Sequence, residues 1–142
     1  MKITQISVFL ENKKGRLYDA CELLGKNGIN ICMLTIAESA DYGILRIVVD
    51  NPEKALTVLK RHDFTANIAD IVAVEVGDQP GGLAKVLKVL NEQNLNVEYM
   101  YGFEEKNGNK ALLILRFDDP DQAIQSLQRN GIKVLPKNEI MK

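Results

Sequence analysis

The segment DQPGGLAKVL, residues 78 to 87, joins an alternating apolar run to a helical apolar run through a proline and two glycines. Glycine adopts backbone conformations with positive φ and lets another group approach the backbone closely. The segment therefore predicts a strand, a tight loop and a helix in succession. ENKKGRLYDACELL, residues 11 to 24, has the same layout, with Gly15 in the place of Gly81. Because this loop occurs twice, we expect the chain to be a repeat.

The repeat extends well beyond the loop. A shift of 66 residues, the spacing from Gly15 to Gly81, places NGINI (27–31) on QNLNV (93–97). The same shift superposes three apolar strand positions, Ile6, Val8 and Leu10, on Val72, Val74 and Val76. After a two-residue slip near Asn107 and Gly108, the match continues with Asp50 on Asp118. We therefore predict two domains, residues 1–69 and 70–142.

One module is predictable element by element. Residues 3–10 alternate at period two and predict a strand, whereas residues 16–26 have the spacing of one helical face. Gly28 is placed to end that helix in the left-handed conformation. Two runs rich in Ile, Val and Leu, residues 30–37 and 43–50, predict a hairpin around the turn ESADYG.

The second part of the module is a helix and a strand. Pro52 fits a first helical turn, where its missing N–H would have no partner, and a last strand runs from Phe64 to about Ile68. The order is βαββαβ. Two interleaved right-handed βαβ crossovers predict an α+β fold, a ferredoxin-like antiparallel sheet with both helices on one face. Because small modules bury a limited fraction of their surface, we expect the halves to associate.

Composition narrows the classes of function. The chain has 142 residues, 46% hydrophobic, and a net charge of −1 without blocks of one sign, which disfavours nucleic-acid binding. There is no apolar run of about 18 residues and no secretory signal, so we expect a cytoplasmic protein without membrane contact. Cys21 and Cys32 form no CxxC pair, which predicts two buried thiols and neither a zinc site nor a disulfide framework. We expect no metal and no cofactor.

Candidate catalytic residues are few. His62 is the only histidine, and it follows a helical run, where a cation complements the helix dipole. Asp118 and Asp119 precede Pro120 and are most simply helix caps. Arg16 would suit a phosphate-binding loop of the acylphosphatase type, but the motif that surrounds such an arginine is absent. The alternating aromatics of a further strand, Tyr99, Tyr101 and Phe103, are flanked by glutamates that repel phosphates. We predict that the chain is not an enzyme.

The position of the glycine loop, at the start of a helix, favours anion binding. The first amides of a helix have no internal partners, and the helix dipole places partial positive charge there. Such a site attracts carboxylates and phosphates. The alternative is a tight turn that only starts the helix, and a single copy of the loop favours that alternative. Two copies at equivalent positions shift the balance toward a ligand.

At this point the chain resembles the ACT domain family, regulatory amino-acid-binding modules with the βαββαβ fold, over its whole length as two tandem copies. DQPGGL (78–83) is similar to the family loop of Asp or Asn, any residue, Pro-Gly, any residue, and Leu or Val. The tripeptides GIN (28–30) and NLN (94–96) are similar to the family's second-strand start. The first loop, NKKGRL, departs from the pattern because it lacks the proline and carries Lys14 and Arg16.

The resemblance implies that a free amino acid binds between two such modules. Loop amides would take its carboxylate, and Asn or Asp oxygens would take its ammonium. The implied ligand-binding residues are Asn12, Lys14, Gly15, Arg16, Leu17, Asn30 and Ile31 in the first half, and Asp78, Pro80, Gly81, Gly82, Leu83, Asn96 and Val97 in the second. If a single site is occupied, we expect the ammonium beside the charged Asp78.

The predicted function is therefore an allosteric sensor of a free amino acid that acts on a separate metabolic enzyme or simply reports its ligand. The alternative is a stand-alone regulatory subunit that contacts a biosynthetic enzyme without binding any ligand. The identity of the amino acid, the occupancy of one or both loops and the formation of a homodimer are left open by the residues.

Overall fold

The computed structural model describes residues 1–38, 41–104 and 109–140. The first half contains five complete elements and the start of a sixth: β1 (Ile3–Glu11), α1 (Arg16–Lys26), β2 (Ile31–Glu38), β3 (Tyr42–Val49), α2 (Pro52–Arg61) and β4 (Thr65–Gly77). The helix predicted over residues 16–26 is confirmed at both ends. The predicted hairpin is also confirmed, since β2 and β3 pair antiparallel from Ile31↔Val49 to Glu38↔Gly43. Ser39 and Ala40 of the predicted turn lie outside the described residues.

The second half repeats this order. It uses the end of β4, followed by α3 (Gly82–Glu92), β5 (Val97–Glu104), β6 (Lys110–Phe117), α4 (Pro120–Arg129) and β7 (Lys133–Leu135). The predicted slip near Asn107 and Gly108 lies outside the described residues. A short helix that the sequence did not predict, α5 (Lys137–Ile140), follows β7.

The last strand of the first half differs from the prediction in where it ends. The strand expected to end at about Ile68 instead continues without interruption as β4 to Gly77. No glycine or proline occurs between Thr65 and Val76, so the backbone has no residue that favours a break. The chain divides into two compact units, Thr4–Ala69 and Asp70–Ile140, the latter together with Met1–Ile3.

Strand order confirms the predicted fold class. The strands of the first half follow the order β2-β3-β1-β4, and those of the second half follow β5-β6-β4-β7. β1 pairs antiparallel with β3, as β4 does with β6 and with β7. Both halves therefore have the ferredoxin-like βαββαβ fold.

Each half has its own core, built from equivalent positions. Leu24 in α1 and its counterpart Leu90 in α3 are 0% and 2% exposed. The predicted strand positions are all buried: Ile6, Val8 and Leu10 in the first cluster, and Val72, Val74 and Val76 in the second. Leu17 and Leu83 contradict the helical-face pattern, because both are 42% exposed. They lie in the first helical turn next to the loop, beyond the part of the helix that covers the core.

Left-handed backbone recurs at equivalent positions, whether or not the residue is glycine. Gly28 follows α1 with φ 72°, as predicted, and Asn94 takes its place after α3 with φ 56°. After the second helix of each half the roles reverse, with Asp63 at φ 64° and Gly131 at φ 74°. Asn and Asp tolerate this conformation better than other side chains do. The backbone is therefore repeated more closely than the sequence.

The predicted helix caps are confirmed at His62 and Asp119, whereas Asp118 lies one residue before the N-cap of α4. His62 is the C-terminal cap of α2, and its Nδ1 lies 3.0 Å from the carbonyl oxygen of Val58. The Asp119 carboxylate accepts from the Gln122 N–H at 3.1 Å at the start of α4. Asp118 accepts from the Asp119 N–H at 3.0 Å. These contacts give the three residues structural roles.

Cys21 and Cys32 form no disulfide with each other and are half-buried, so the prediction of two buried thiols is wrong in degree. Burial raises the pKa of Cys21. Among the described residues, no cluster of His, Cys, Asp and Glu could hold a metal ion. No helix within the described ranges is long and apolar enough to cross a membrane.

Candidate functional site

The two glycine loops share one backbone conformation. Gly15 and Gly81 precede α1 and α3 with φ 93° and 85°, and neither helix start has a side-chain cap. A Cβ atom built on either glycine would meet nothing within 4 Å. Left-handed backbone, and not a close neighbour, therefore requires glycine at these two positions.

Gly82 has a different reason to be glycine. A Cβ atom at this position would overlap the carbonyl oxygen of Gly77 and come within 3.3 Å of its carbonyl carbon. The group that approaches the backbone so closely is thus the chain itself, at the end of β4. In the first loop the equivalent residue is Arg16, which has a full side chain.

Hydrogen bonds show that the two turns are the same. The Lys13 N–H donates to the Glu11 carbonyl at 2.7 Å, and the equivalent Gln79 N–H donates to the Gly77 carbonyl at 3.0 Å. Arg16 N–H then donates to the Lys13 carbonyl at 3.3 Å. Its counterpart, Gly82 N–H, donates to the Gln79 carbonyl at 3.0 Å.

Two amides at each helix start lie outside the hydrogen bonds of the helix. The first bond of the α1 ladder runs from Asp19 N–H to the Gly15 carbonyl, and that of α3 from Lys85 N–H to the Gly81 carbonyl. The N–H groups in between belong to Leu17 and Tyr18, and to Leu83 and Ala84. Within the described part of the chain these four groups have no hydrogen-bond acceptor. Such amides, with the dipole behind them, attract a carboxylate.

A cavity of about 180 Å³ lies beside the first loop. Two of the predicted residues, Asn12 and Leu17, line it together with Lys13. Ile36 and Tyr42 also line it, and neither was predicted. The strand register explains their position, because Glu11 pairs with Tyr42 and Ala37 pairs with Ile44 at this end of the sheet.

The predicted asparagines that open the second strands lie elsewhere. Asn30 precedes β2 at the end where Ile31 pairs with Val49, and its N–H donates to the Asp50 carboxylate at 3.1 Å. The loop lies at the opposite end of this eight-residue strand, roughly 25 Å away at about 3.3 Å per residue. Asn96 and Val97 occupy the same place in the second half, where Val97 pairs with Phe117. Within one half, therefore, the structure does not bring these residues to the loop.

Two cations of the first loop, Arg16 and Lys13, interact with neighbouring side chains. Arg16 lies over the Phe64 ring, 4.5 Å from its centroid, and 3.7 Å from the Asp19 carboxylate. Lys13 pairs with Glu11 at 2.8 Å, and this hydrogen bond and the lysine charge lower the pKa of Glu11. Lys14 is exposed. Arg16 is not among the residues that line the loop cavity, in contrast to Lys13.

The second loop presents its predicted residues to solvent. Asp78, Pro80 and Gly81 are exposed, and the Asp78 N–H donates to the Asn109 carbonyl at 2.9 Å. The equivalent Asn12 N–H donates to the Asp41 carbonyl at 3.1 Å. Each loop is thus hydrogen-bonded to the residue directly before the second strand of the hairpin, with an oxygen-bearing side chain at the same position.

A family model described as an ACT domain pair matches residues 1–142. The chain belongs to this family. The resemblance stated from the loop and strand motifs is thereby confirmed, and the two βαββαβ halves are the two ACT domains of the pair.

Several solved structures are similar to this ACT domain pair. Protein BT0572 from Bacteroides thetaiotaomicron is 41% identical, with 100% of this chain and 97% of that chain covered and a TM-score of 0.92. The regulatory subunit of aspartate kinase from Thermus thermophilus, in a ligand-free form, is 16% identical, with coverage of 89% and 91% and a TM-score of 0.65. The Thermus flavus subunit is 15% identical, with coverage of 89% and 90% and a TM-score of 0.62. No curated protein matches the chain.

Proposed function

We propose that this ACT domain pair is a non-catalytic sensor that binds a free amino acid between ACT modules and thereby regulates amino-acid metabolism. The observation that supports this most is the repeated arrangement at the two loops. Each loop holds, behind a left-handed glycine, two amides that have no acceptor among the described residues. An oxygen-bearing side chain, Asn12 or Asp78, lies three residues before that glycine.

The chemistry of these groups matches both charged ends of an amino acid. A carboxylate accepts from the two free amides, and each hydrogen bond to a charged group contributes about 1.5–3 kcal/mol. The ammonium needs oxygen acceptors, which the Asn12 amide or the Asp78 carboxylate supplies. Because Asp78 adds a full negative charge, we propose that a singly occupied pair holds the ammonium at the second loop.

The ligand side chain has a suitable environment at the first loop. Leu17 and Ile36 give the cavity there an apolar wall, with Tyr42 beside them. Burial of apolar atoms contributes about 25 cal/mol per Å². We therefore propose that an amino acid bound at the first loop has an apolar side chain.

Asn30 and Asn96 support a ligand that lies between modules. Each is roughly 25 Å from the loop of its own half, as the length of the eight-residue strands requires. A small ligand that contacts a loop and one of these asparagines must therefore take them from different modules, as the family resemblance implies. No catalytic step is assigned to His62, because it caps α2.

A thermal-shift screen of the chain against the twenty amino acids tests this function. A ligand that binds only the folded state raises Tm. At a ligand concentration of a hundred times Kd, it stabilises the folded state by about 2.7 kcal/mol. We expect Asp78→Ala to remove the shift of a second-loop ligand and Asn12→Ala to remove that of a first-loop ligand. Glu92→Ala is the matched control, because it removes an exposed carboxylate from α3 at the end far from the loop.

The outcomes separate the two predicted functions. A shift that survives both loop variants would reject the loops as the site. The absence of a shift with every amino acid at millimolar concentration would reject the sensor and favour the regulatory subunit that acts through protein contacts. The next measurement would then be capture of a biosynthetic enzyme by the immobilised chain.

A further inference from the structure

A cleft on another side of each loop distinguishes the two halves. In the second half its volume is about 330 Å³, and Gly82, Lys85, Ile132 and Lys133 are among the residues that line it. The equivalent cleft of the first half has about 250 Å³ and is lined by Phe9, Arg16, Asp63 and Thr65, among others. The two clefts occupy the same place in the fold, between the end of the first strand, the loop and the start of the last strand.

In the first half, the Arg16 side chain lines the cleft and has partners within the same module. Arg16 extends over the Phe64 ring at 4.5 Å and pairs with Asp19 at 3.7 Å. The guanidinium thereby gains an aromatic face and a carboxylate inside the module. Arg16 lines both this cleft and a second cavity of about 390 Å³, which Asp19 and Phe64 also line. The one cation that lines the first-half cleft is thus neutralised by a carboxylate of its own module.

The second-half cleft lacks these side chains. Gly82 stands at the position of Arg16, and Ile132 stands at the position of Phe64. No side chain fits at Gly82, because a Cβ atom there would overlap the Gly77 carbonyl oxygen. The backbone of the second loop therefore keeps this cleft open.

The charges also change between the halves. Lys85 replaces Asp19, Lys110 replaces Tyr42 and Lys133 replaces Thr65, and all three lysines line the second-half cleft. Glu75 is the acidic residue that lines it, and it lies 3.5 Å from Lys110.

Two of the three lysines are left to act on a ligand. Lys133 is 4.0 Å from Glu139, at the limit of an ion pair, and both side chains are largely exposed. Lys85 has no ion pair among the described residues. Lys85 and Lys133 thus supply positive charge on a cleft whose third lysine is neutralised.

We propose that this cleft binds a small anion with at least two negative charges, such as a phosphate-bearing metabolite or a dicarboxylate. Lysine ammonium groups hold phosphates and carboxylates as mobile point charges. Gly82 also belongs to the predicted amino-acid site, whereas Lys85 and Lys133 do not, so the two ligands would be recognised by different side chains. The cleft makes the second half of the pair responsive to a second class of ligand.

Titration of the full chain with inorganic phosphate, and separately with succinate, tests the site by NMR of the backbone amides at constant ionic strength. The decisive variant is Lys85→Asp with Lys133→Thr, which installs the residues of the first half. Lys88→Asp is the matched control, because Lys88 is on the same helix, pairs with Glu92 at 3.9 Å and does not line the cleft. The substituted residues Lys85, Lys88 and Lys133 are all exposed, so the variants are expected to fold.

We expect saturable shifts at Gly131 and Ile132 with at least one anion, weakened about tenfold or more in the double variant and little changed in the control. The anion that saturates identifies phosphate or carboxylate chemistry. Absence of saturation with both anions would overturn the site, as would an equal loss in Lys88→Asp, which indicates a nonspecific charge effect. Neither result changes the outcome for amino acids at Asp78, so the two proposals fail separately.

Discussion

The first and second glycine loops have the same backbone and different chemistry. Both use a left-handed glycine, the same short hydrogen-bonded turn and two helix-start amides without an acceptor in the part of the chain that the structure describes. The side chains around this frame diverge, with Arg16 against Gly82 and Asn12 against Asp78. The repeat therefore retains the backbone conformation and the buried apolar positions, and it varies the side chains around the loops.

The reason is energetic. A positive φ or a buried leucine affects the stability of the whole module, whereas most exposed side chains affect it little. Exposed positions beside a loop are thus free to specialise. The comparison can be tested from the core outward.

The largest effect is expected in the two cores. Leu24→Ala and Leu90→Ala each remove a side chain that is at most 2% exposed, at equivalent places. We expect each to lower the free energy of unfolding by about 2–5 kcal/mol, measured by urea denaturation. A cost below about 1 kcal/mol in one half only would contradict two equally packed cores.

The second-largest effect is expected at Gly82 in the second glycine loop. Gly82→Ala places a Cβ atom against the Gly77 carbonyl, and we expect a loss of about 1–3 kcal/mol. Gly25→Ala is the matched control, because no atom lies within 4 Å of its Cβ position and the residue is inside α1. The control is expected to stabilise by about 0.5–1 kcal/mol. A neutral Gly82→Ala would show that the loop relaxes as the Arg16 loop does.

The third effect compares the caps of α2 and α4. Asn51 accepts from the Lys54 N–H at 3.2 Å and Asp119 from the Gln122 N–H at 3.1 Å. Replacement of either by Ala should cost about 1 kcal/mol, whereas Asn51→Asp should gain about 0.3–1 kcal/mol from the helix dipole. Unfolding in low and high salt checks this, because only the charge contribution is screened. A salt-independent gain would argue against the dipole.

The smallest effect is a titration on α1. Tyr18 donates to Glu22, and this hydrogen bond, followed by that from Lys26, lowers the pKa of Glu22. Its stabilising contribution is therefore complete above the ordinary pKa of a glutamate and is lost as the pH falls through the lowered pKa. Tyr18→Phe should raise the Glu22 pKa toward its ordinary value, measured by NMR of the carboxyl carbon. Glu92 in α3 is the internal control, because it pairs with Lys88 at 3.9 Å and has no tyrosine four residues before it. An unchanged Glu22 pKa would show that Tyr18 makes no lasting contact.

Most of the fold was predictable because its signals are local and occur twice. The ends of α1, the strand alternation around Val8 and the proline start of α2 are read from a few adjacent residues. The continuous β4 was missed because strand length depends on pairing partners on both sides, which are distant in sequence. The exposure of Leu17 and Leu83 was missed because helical periodicity does not say where a helix extends beyond its sheet.

The candidate site was predictable only in part. The loop residues follow from the motif, but Ile36 and Tyr42 reach the first-loop cavity through strand register, which no short motif records. Lys85 and Lys133 left a signal in the repeat, as charge changes relative to Asp19 and Thr65, but their common cleft required the fold. Asn30 shows the converse, because its motif is clear and its own module holds it far from the loop.

The sequence by itself determined the repeated βαββαβ order, the positions of the loop glycines and the membership of the ACT family, because backbone preference and apolar periodicity act over short stretches of chain. Only the tertiary structure decided which side chains share a cavity, why Gly82 has no side chain and how the two clefts differ. Those outcomes depend on contacts between residues that are distant in the chain, such as Arg16 with Phe64.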